Sequence, residues 1–171
     1  MLNRIQAAIS QLSPFARSAG IIAPLAIFTI SALGNASGRI LSGWMSDTLG
    51  RLRTLKTMVL LSAVAMPALF IWREQEVLFF LLLAAVYWCY GTQLSVFAST
   101  TADFYGTKNL GMNYGVLFTA WGAAGIIGPA IAARVFVQFG DYRYAFFAAA
   151  GLAIVAFLSL SMAKPPARGT A

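Results

Sequence analysis

The sequence predicts an all-α polytopic membrane protein with about five transmembrane helices. Of its 171 residues, 60% are hydrophobic and only 10% are charged, whereas soluble domains carry about 25% charged residues. The apolar runs are long enough to enter a bilayer, and the charged residues fall singly or in small groups between them. Such a chain cannot cover itself with a water-facing surface, so a lipid bilayer is its expected environment.

The apolar runs define the predicted elements in order. Residues 1–19 are interrupted by Pro14 and predict an interfacial segment or the remnant of a preceding helix. Residues 20–163 form the predicted five-helix membrane domain, with spans at about residues 20–44, 57–72, 77–98, 113–135 and 144–163. Polar loops are predicted at residues 47–56 and 99–112, and residues 164–171 form a tail in which two prolines stop the last helix.

The basic residues predict the orientation of the chain. Six of them lie in the 47–56 and 99–112 loops and in the tail, which share one side of the membrane: Arg51, Arg53, Lys56, Lys108, Lys164 and Arg168. Three lie on the other side: Arg73, Arg134 and Arg143. If Arg4 and Arg17 are counted there as well, the excess of basic residues on the first side falls to six against five. The positive-inside rule therefore predicts a cytoplasmic C-terminus. Because these bases are scattered, the net charge of +7 does not indicate a nucleic-acid partner.

The composition argues against most catalytic and metal sites. The sequence contains one cysteine, Cys89, and no histidine, which excludes a Cys/His metal site or a Ser-His-Asp triad within this chain. All five acidic residues fall in predicted loops, so no proton relay of carboxylates is expected inside the membrane. Neither an enzyme nor a cofactor or metal is predicted.

Arg39 is the candidate for anion binding. It lies in the second half of the first predicted span, where an arginine costs about 2.5–3.5 kcal/mol on insertion scales. A guanidinium that faces a cavity can pair bidentately with a carboxylate or a phosphate. Alternatively, Arg39 snorkels to the membrane surface, because Asp47 follows only about two turns later. Position alone leaves both interpretations open.

The segment from Gly43 to Arg53 predicts a structured turn. Asp47 can accept backbone N–H groups at the start of the next helix or pair with a neighbouring base. Gly50 permits a tight turn, and Arg51 and Arg53 face anionic headgroups. A loop that served only the positive-inside rule would need the bases but not this spacing.

Deep aromatic residues predict either a lined cavity or close packing between helices. The cluster at residues 87–90 lies near the middle of the third span, which is too deep for an interfacial belt. Trp88 is expected to share a helix face with Thr92 and Gln93, and Trp121 lies similarly deep in the fourth span. A set of small residues predicts close helix packing, with a bend at the proline: Gly34, Gly38, Gly122, Gly125, Gly128 and Pro129.

Three of these segments resemble transporters of the major facilitator superfamily. The segment from Gly43 to Arg53 is similar to the signature between the second and third helices of each half of those transporters. Residues 103–129 are similar to the eleventh-helix region of the oxalate/formate antiporter family, and residues 33–40 are similar to its eighth helix. The resemblance covers about residues 9–163.

This resemblance implies both an architecture and a function. The five spans resemble helices eight to twelve of a fold with twelve helices in two halves, in which substrate binds at the midplane between the halves. It implies the C-terminal part of a secondary transporter in the bacterial inner membrane, which moves small carboxylate anions by alternating access. The chain would be inactive without an N-terminal half, supplied as a separate chain or by the missing part of the gene product. The alternative is a non-transporting membrane fragment or interaction subunit.

The resemblance also implies roles for individual residues. Arg39 matches the arginine that binds the substrate carboxylate in this family, and Trp88 and Gln93 resemble the residues of the tenth helix that line the site. Trp121 lies where the oxalate transporters carry a lysine. A second cation is therefore missing at that position, which favours a monocarboxylate or another small organic anion over a dianion.

Overall fold

The computed structural model describes residues 24–163, which fold into five α-helices. The helices are α1 Pro24–Leu49, α2 Arg51–Ile71, α3 Glu76–Tyr105, α4 Leu110–Phe139 and α5 Arg143–Met162. No strand is present in this range, which confirms the all-α fold class. The predictions for residues 1–19 and 164–171 fall outside the described residues.

Within the described residues, α2, α3, α4 and α5 are long and apolar enough to cross a membrane. The first helix, α1, is also long enough, with 26 residues. It differs from the other four because a polar segment that includes Asn35, Ser37 and Arg39 lowers its mean hydropathy. The helix that carries the candidate anion site therefore has a polar segment within its length.

The helices run further than the predicted spans, and the two predicted loops are correspondingly shorter. Between α1 and α2 only Gly50 lies outside a helix, and between α3 and α4 only residues 106–109 do so. The hydroxyls of Thr48, Thr100 and Thr101 donate to backbone carbonyls three or four residues earlier in the same helix. These polar residues therefore continue a helix inside a membrane protein, although the same residues often end a helix in water. Gly50 makes the abrupt turn with φ of +91°, a backbone conformation that glycine adopts readily.

The five helices alternate in direction around α3. The largest contact in the bundle joins α1 to α3, and α2 packs against both α3 and α5. At the end of the bundle where α1 begins, Ile27, Leu69, Phe79 and Leu83 form a buried apolar cluster. The opposite end holds the α1–α2 and α3–α4 turns. This alternation places the Gly50 turn and the end of α5 at the same end of the bundle.

The fourth helix is the least packed of the five. It touches α3 and α5 through small contacts, and none of its residues is buried within the described part of the chain. Added Cβ atoms at Gly115, Gly125 and Gly128 would meet nothing within 4 Å. The helix continues through Pro129, and Gly122 is half-buried. The close packing predicted for the small residues of α4 therefore has no counterpart among residues 24–163.

Candidate functional site

Arg39 lies deep in α1, and its side chain is exposed within the described part of the chain. The helix continues to Leu49 rather than ending near Asp47, so about three turns, or about 15 Å of rise, separate Arg39 from its end. Asp47 nevertheless follows Arg39 by only eight residues, so anion binding and snorkelling both stay predictions. The Nε–H of Arg39 donates a hydrogen bond to Asn35 Oδ1 at 3.0 Å, so one edge of the guanidinium is held by its own helix.

An aromatic wall lies beside Arg39 and is contributed by α3 and α4. Its rings form a continuous series, with centroid distances of 6.5 Å between Tyr87 and Tyr90 and of 6.5 Å between Tyr90 and Trp121. Phe118 follows at 4.8 Å from Trp121, and Tyr114 lies 5.2 Å from Phe118. These five residues, Tyr87, Tyr90, Tyr114, Phe118 and Trp121, are called the aromatic wall below.

Two tyrosines of the aromatic wall interact electrostatically with the arginine. Arg39 lies within electrostatic range of the Tyr90 and Tyr114 hydroxyls. Tyr114 donates its hydroxyl hydrogen to the Leu94 carbonyl at 3.2 Å, which fixes the ring across the α3–α4 contact. About two turns before Arg39 in α1, the Ser31 hydroxyl is buried beside Tyr87, although the two do not meet hydrogen-bond geometry. The result is a cation with two tyrosine hydroxyls within electrostatic range.

Trp88 does not join this group in the structure. The Trp88 ring lines a groove of about 520 Å³ with Leu33, Gly34 and Ser37. Ser37 and Arg39 lie about 200° apart around α1, so this groove is on the other side of the α1–α3 contact from the arginine. Gln93 is half-buried and lies about 140° around α3 from Trp88, but it follows Tyr90 by three positions and so lies on the Tyr90 side of the helix. The expected shared face of Trp88, Thr92 and Gln93 is therefore wrong, because five helical positions do not return to the same side.

The contact between α1 and α3 is made largely by backbone atoms. A Cβ added at Gly34 would lie 2.8 Å from the Ala84 carbonyl oxygen, and one added at Gly38 would overlap the Trp88 carbonyl oxygen. From the other helix, a Cβ added at Gly91 would overlap the Asn35 carbonyl oxygen. The fully buried Thr92 lies 3.2 Å from the Gly38 carbonyl through its hydroxyl. Small residues allow two helices to approach this closely, and the contact holds the backbone of the turn that precedes Arg39.

The Gly43–Arg53 segment forms an ion-pair network at the opposite end of α1. Arg51 Nη1 lies 2.6 Å from Asp47 Oδ1, and Arg51 Nε lies 3.2 Å from Asp103 Oδ2 in the last turn of α3. Arg51 Nη1 also donates to the Ser46 hydroxyl. Of the alternatives for Asp47, the structure thus shows pairing with a base. Gly43 has nothing within 4 Å of an added Cβ, and Arg53 is exposed.

All three charges of this network lie at unfavourable helix ends. Asp47 and Asp103 occupy the C-terminal turns of α1 and α3, and Arg51 is the first residue of α2. The helix dipole disfavours acids at C-termini and bases at N-termini. The charges therefore do not stabilise their own helices, and their favourable interactions are with each other. The network joins the ends of three helices where these meet the Gly50 turn.

We expect a double-mutant cycle of Arg51→Gln and Asp103→Asn to give a coupling free energy of about 0.2–1 kcal/mol. The two acids are more than half exposed, with side-chain exposures of 64% for Asp47 and 56% for Asp103, so solvent screens both pairs. Thermal unfolding in detergent measures the coupling. Raising the salt concentration should reduce it. A coupling of zero at low salt would show that the 3.2 Å contact contributes nothing to stability.

The sequence did not indicate five of the residues that the structure places at these two sites: Asn35, Gly91, Asp103, Tyr114 and Phe118. A signal existed for Asn35, because it precedes Arg39 by four residues and therefore lies next to it on the helix. Asp103 and Gly91 are separated from their partners by more than fifty residues, and no local pattern connects them. Among the described residues, no group of three His, Cys, Asp or Glu could hold a metal ion.

The bundle defines a class of protein. Antiparallel helices that are long and apolar enough to cross a membrane are those of a polytopic membrane protein. The chain belongs to the Major Facilitator Superfamily, whose family model matches residues 8–171. It is thus an integral membrane protein from a family of transporters.

Three curated relatives are similar to parts of the chain. The oxalate:formate antiporter of Oxalobacter formigenes is 31% identical over 156 residues, which cover 89% of this chain and 37% of the relative. The uncharacterised MFS-type transporter YhjX of Escherichia coli (strain K12) is 35% identical over 98 residues, 57% of this chain and 24% of that protein. The apicoplast pyruvate carrier 2 of Toxoplasma gondii is 34% identical over 100 residues, 54% of this chain and 15% of that protein. The chain therefore spans well under half the length of each of these relatives.

Proposed function

We propose that this chain forms the C-terminal half of a secondary transporter for small carboxylate anions. One observation carries the proposal: the Arg39 guanidinium, deep in α1, is exposed and lies within electrostatic range of the Tyr90 and Tyr114 hydroxyls. In such a place a guanidinium is stabilised by an anionic partner, and a carboxylate matches its planar donors. The names of two relatives, an oxalate:formate antiporter and a pyruvate carrier, support a small carboxylate as that partner.

A monocarboxylate fits the charges of this site better than a dicarboxylate. Arg39 supplies one positive charge, and Trp121, at the position where the resemblance implies a lysine, supplies an indole N–H but no charge. A dianion would leave one carboxylate without a cation in an environment that excludes water, which is costly. The aromatic rings can enclose the small apolar part of a molecule such as pyruvate or acetate.

Transport would require a second half. The described helices cover at most one side of the site, and α4 has no buried residue to show that it is already fully packed. In a fold of two halves, the N-terminal half would cover Arg39 and the aromatic wall, and rocking of the halves would alternate access. We assign this half to a separate chain or to another part of the gene product. The exposed α4 also favours a second candidate, an interaction subunit without transport of its own.

The test is carboxylate exchange in proteoliposomes, with the chain alone and together with a candidate N-terminal half. We expect exchange only with both halves, and a KM for formate, acetate or pyruvate that is about tenfold lower than for oxalate, since one charge of oxalate stays unpaired. Liposomes with the N-terminal half alone are the control. Exchange of neutral solutes but of no carboxylate would overturn the carboxylate proposal, and inactivity of the paired halves would favour the interaction subunit.

The orientation belongs to the same proposal. The excess of bases at the Gly50 end supports a cytoplasmic location for that end and for the C-terminus, in the inner membrane of a bacterium. A fluorescent-protein fusion after residue 171 should fluoresce if this orientation is right. Activity of a periplasmic reporter enzyme at the same position would reverse the assignment.

A further inference from the structure

The hydrogen bond between Asn35 and Arg39 suggests a role that the substrate site itself does not define. Asn35 lies one turn before Arg39 on α1, and its Oδ1 accepts from Arg39 Nε at 3.0 Å. We propose that Asn35 is a positioning residue, which holds the guanidinium so that its two Nη groups face the substrate carboxylate. This proposal rests on the proposed function, because it concerns how the same arginine binds its anion.

The hydrogen bond to Asn35 limits how the Arg39 guanidinium can bind a carboxylate. A guanidinium has five N–H donors in one plane, and a carboxylate can bind either the pair of Nη groups or the Nε edge. Asn35 occupies the Nε–H, so the Nε edge is closed to substrate. The Nη pair remains for a bidentate contact. Asn35 thereby selects one of two binding geometries.

The backbone that carries Asn35 is itself immobilised against α3. The Gly91 backbone lies so close to the Asn35 carbonyl that a Cβ there would overlap it. One turn later, the Gly38 carbonyl lies 3.2 Å from the buried Thr92 hydroxyl. With the backbone fixed at both points, the flexible part of the site is the Arg39 side chain, whose rotamer freedom opposes binding. The hydrogen bond to Asn35 restricts that freedom before substrate arrives.

A simpler role for Asn35 would be to satisfy a polar group of Arg39 in an apolar environment. The two roles predict different results for an isosteric change to aspartate. Aspartate would satisfy Arg39 better than asparagine does, because the pair becomes charged on both sides. For a positioning residue, however, aspartate is harmful, since it places a competing carboxylate beside the cation that the substrate needs. The contact with Gly91 uses the Asn35 backbone, so both variants leave the helix packing unchanged.

The experiment compares Asn35→Ala and Asn35→Asp in proteoliposomes in which the paired wild-type halves exchange a monocarboxylate. We expect Asn35→Ala to raise KM about tenfold with kcat within about twofold, the loss expected for a hydrogen bond to a charged group. Asn35→Asp should raise KM at least about a hundredfold, because an internal anion occupies the guanidinium. Asn109→Ala is the matched control, since Asn109 lies at the start of α4 and makes no side-chain capping bond.

The outcomes separate this proposal from the proposed function. Wild-type exchange with unchanged KM in both variants would overturn the role of Asn35 and leave the function standing. A larger loss in Asn35→Ala than in Asn35→Asp would also overturn it, because it would show that satisfying Arg39 is what matters. Wild-type halves that exchange no carboxylate would overturn the proposed function and, with it, this inference.

Discussion

Replacing Arg39 by glutamine is expected to reduce carboxylate exchange by at least about a hundredfold, mainly through a higher KM. Glutamine can donate hydrogen bonds but carries no charge, so the carboxylate would enter the site without a counter-ion. Arg39→Lys should retain part of the activity, with a KM about tenfold above wild type, because an ammonium keeps the charge but loses the planar pair of donors. Initial rates of counterflow, measured against substrate concentration in proteoliposomes, give both constants.

Lys108→Gln is the matched control for this prediction. Lys108 is an exposed base in the turn between α3 and α4, and it undergoes the same change from cation to amide. We expect the rate of carboxylate exchange by Lys108→Gln to remain within about twofold of wild type. If Arg39→Gln exchanges carboxylate as fast as Lys108→Gln at equal protein density, Arg39 does not bind the anion.

The second large effect is expected at Gly38, in the contact between α1 and α3. The Cβ of Gly38→Ala would overlap the Trp88 carbonyl oxygen, and backbone atoms of a packed helix cannot yield as a side chain does. Overpacking of this kind costs about 1–3 kcal/mol and occasionally more. We expect a cost at the upper end of that range and a fall of several degrees in the midpoint of thermal unfolding, roughly 5 °C or more.

The chain supplies its own reporter for this experiment. Cys89 is the single cysteine of the sequence, and it is fully buried in α3. A thiol-reactive dye in detergent should therefore label the protein only as α3 separates from its neighbours. Gly151→Ala is the matched control, because an added Cβ there meets nothing within 4 Å. Equal labelling temperatures for the two variants would show that α1 and α3 are not as close as the structure places them.

Local features of this protein were predictable from the sequence. The hydrophobic content and the spacing of charges indicated a membrane protein of helices. The depth of Arg39 followed from its position in an apolar run. The Asp47–Arg51 ion pair joins residues only four positions apart, so it too is a local feature. The loops predicted at residues 47–56 and 99–112 are shorter in the structure, and the reason for this error is also local to each segment. Polar residues were assumed to break a helix, whereas their hydroxyls bond back to the carbonyls of the preceding turn.

The arrangement of the site was decided only by the tertiary structure. Trp88 and Tyr90 are two residues apart on α3, yet one lines a groove with Leu33 while the other belongs to the aromatic wall near Arg39. Which of them faces the arginine depends on how α3 is rotated about its axis. Because an apolar environment surrounds most of the helix, no clear polar and apolar faces reveal that rotation in the sequence.

The sequence by itself determined the environment of the protein, its succession of helices and the presence of a deep cation, since each depends on residues within a turn or two. The tertiary structure decided what surrounds that cation. Backbone contact through Gly38 and Gly91 sets the approach and rotation of α1 and α3, and this brings Tyr90 into electrostatic range of Arg39 and turns Trp88 away. The physical reason is that lipid and protein interior are similarly apolar, so steric fit between small residues, rather than hydrophobicity, selects the partners of each helix face.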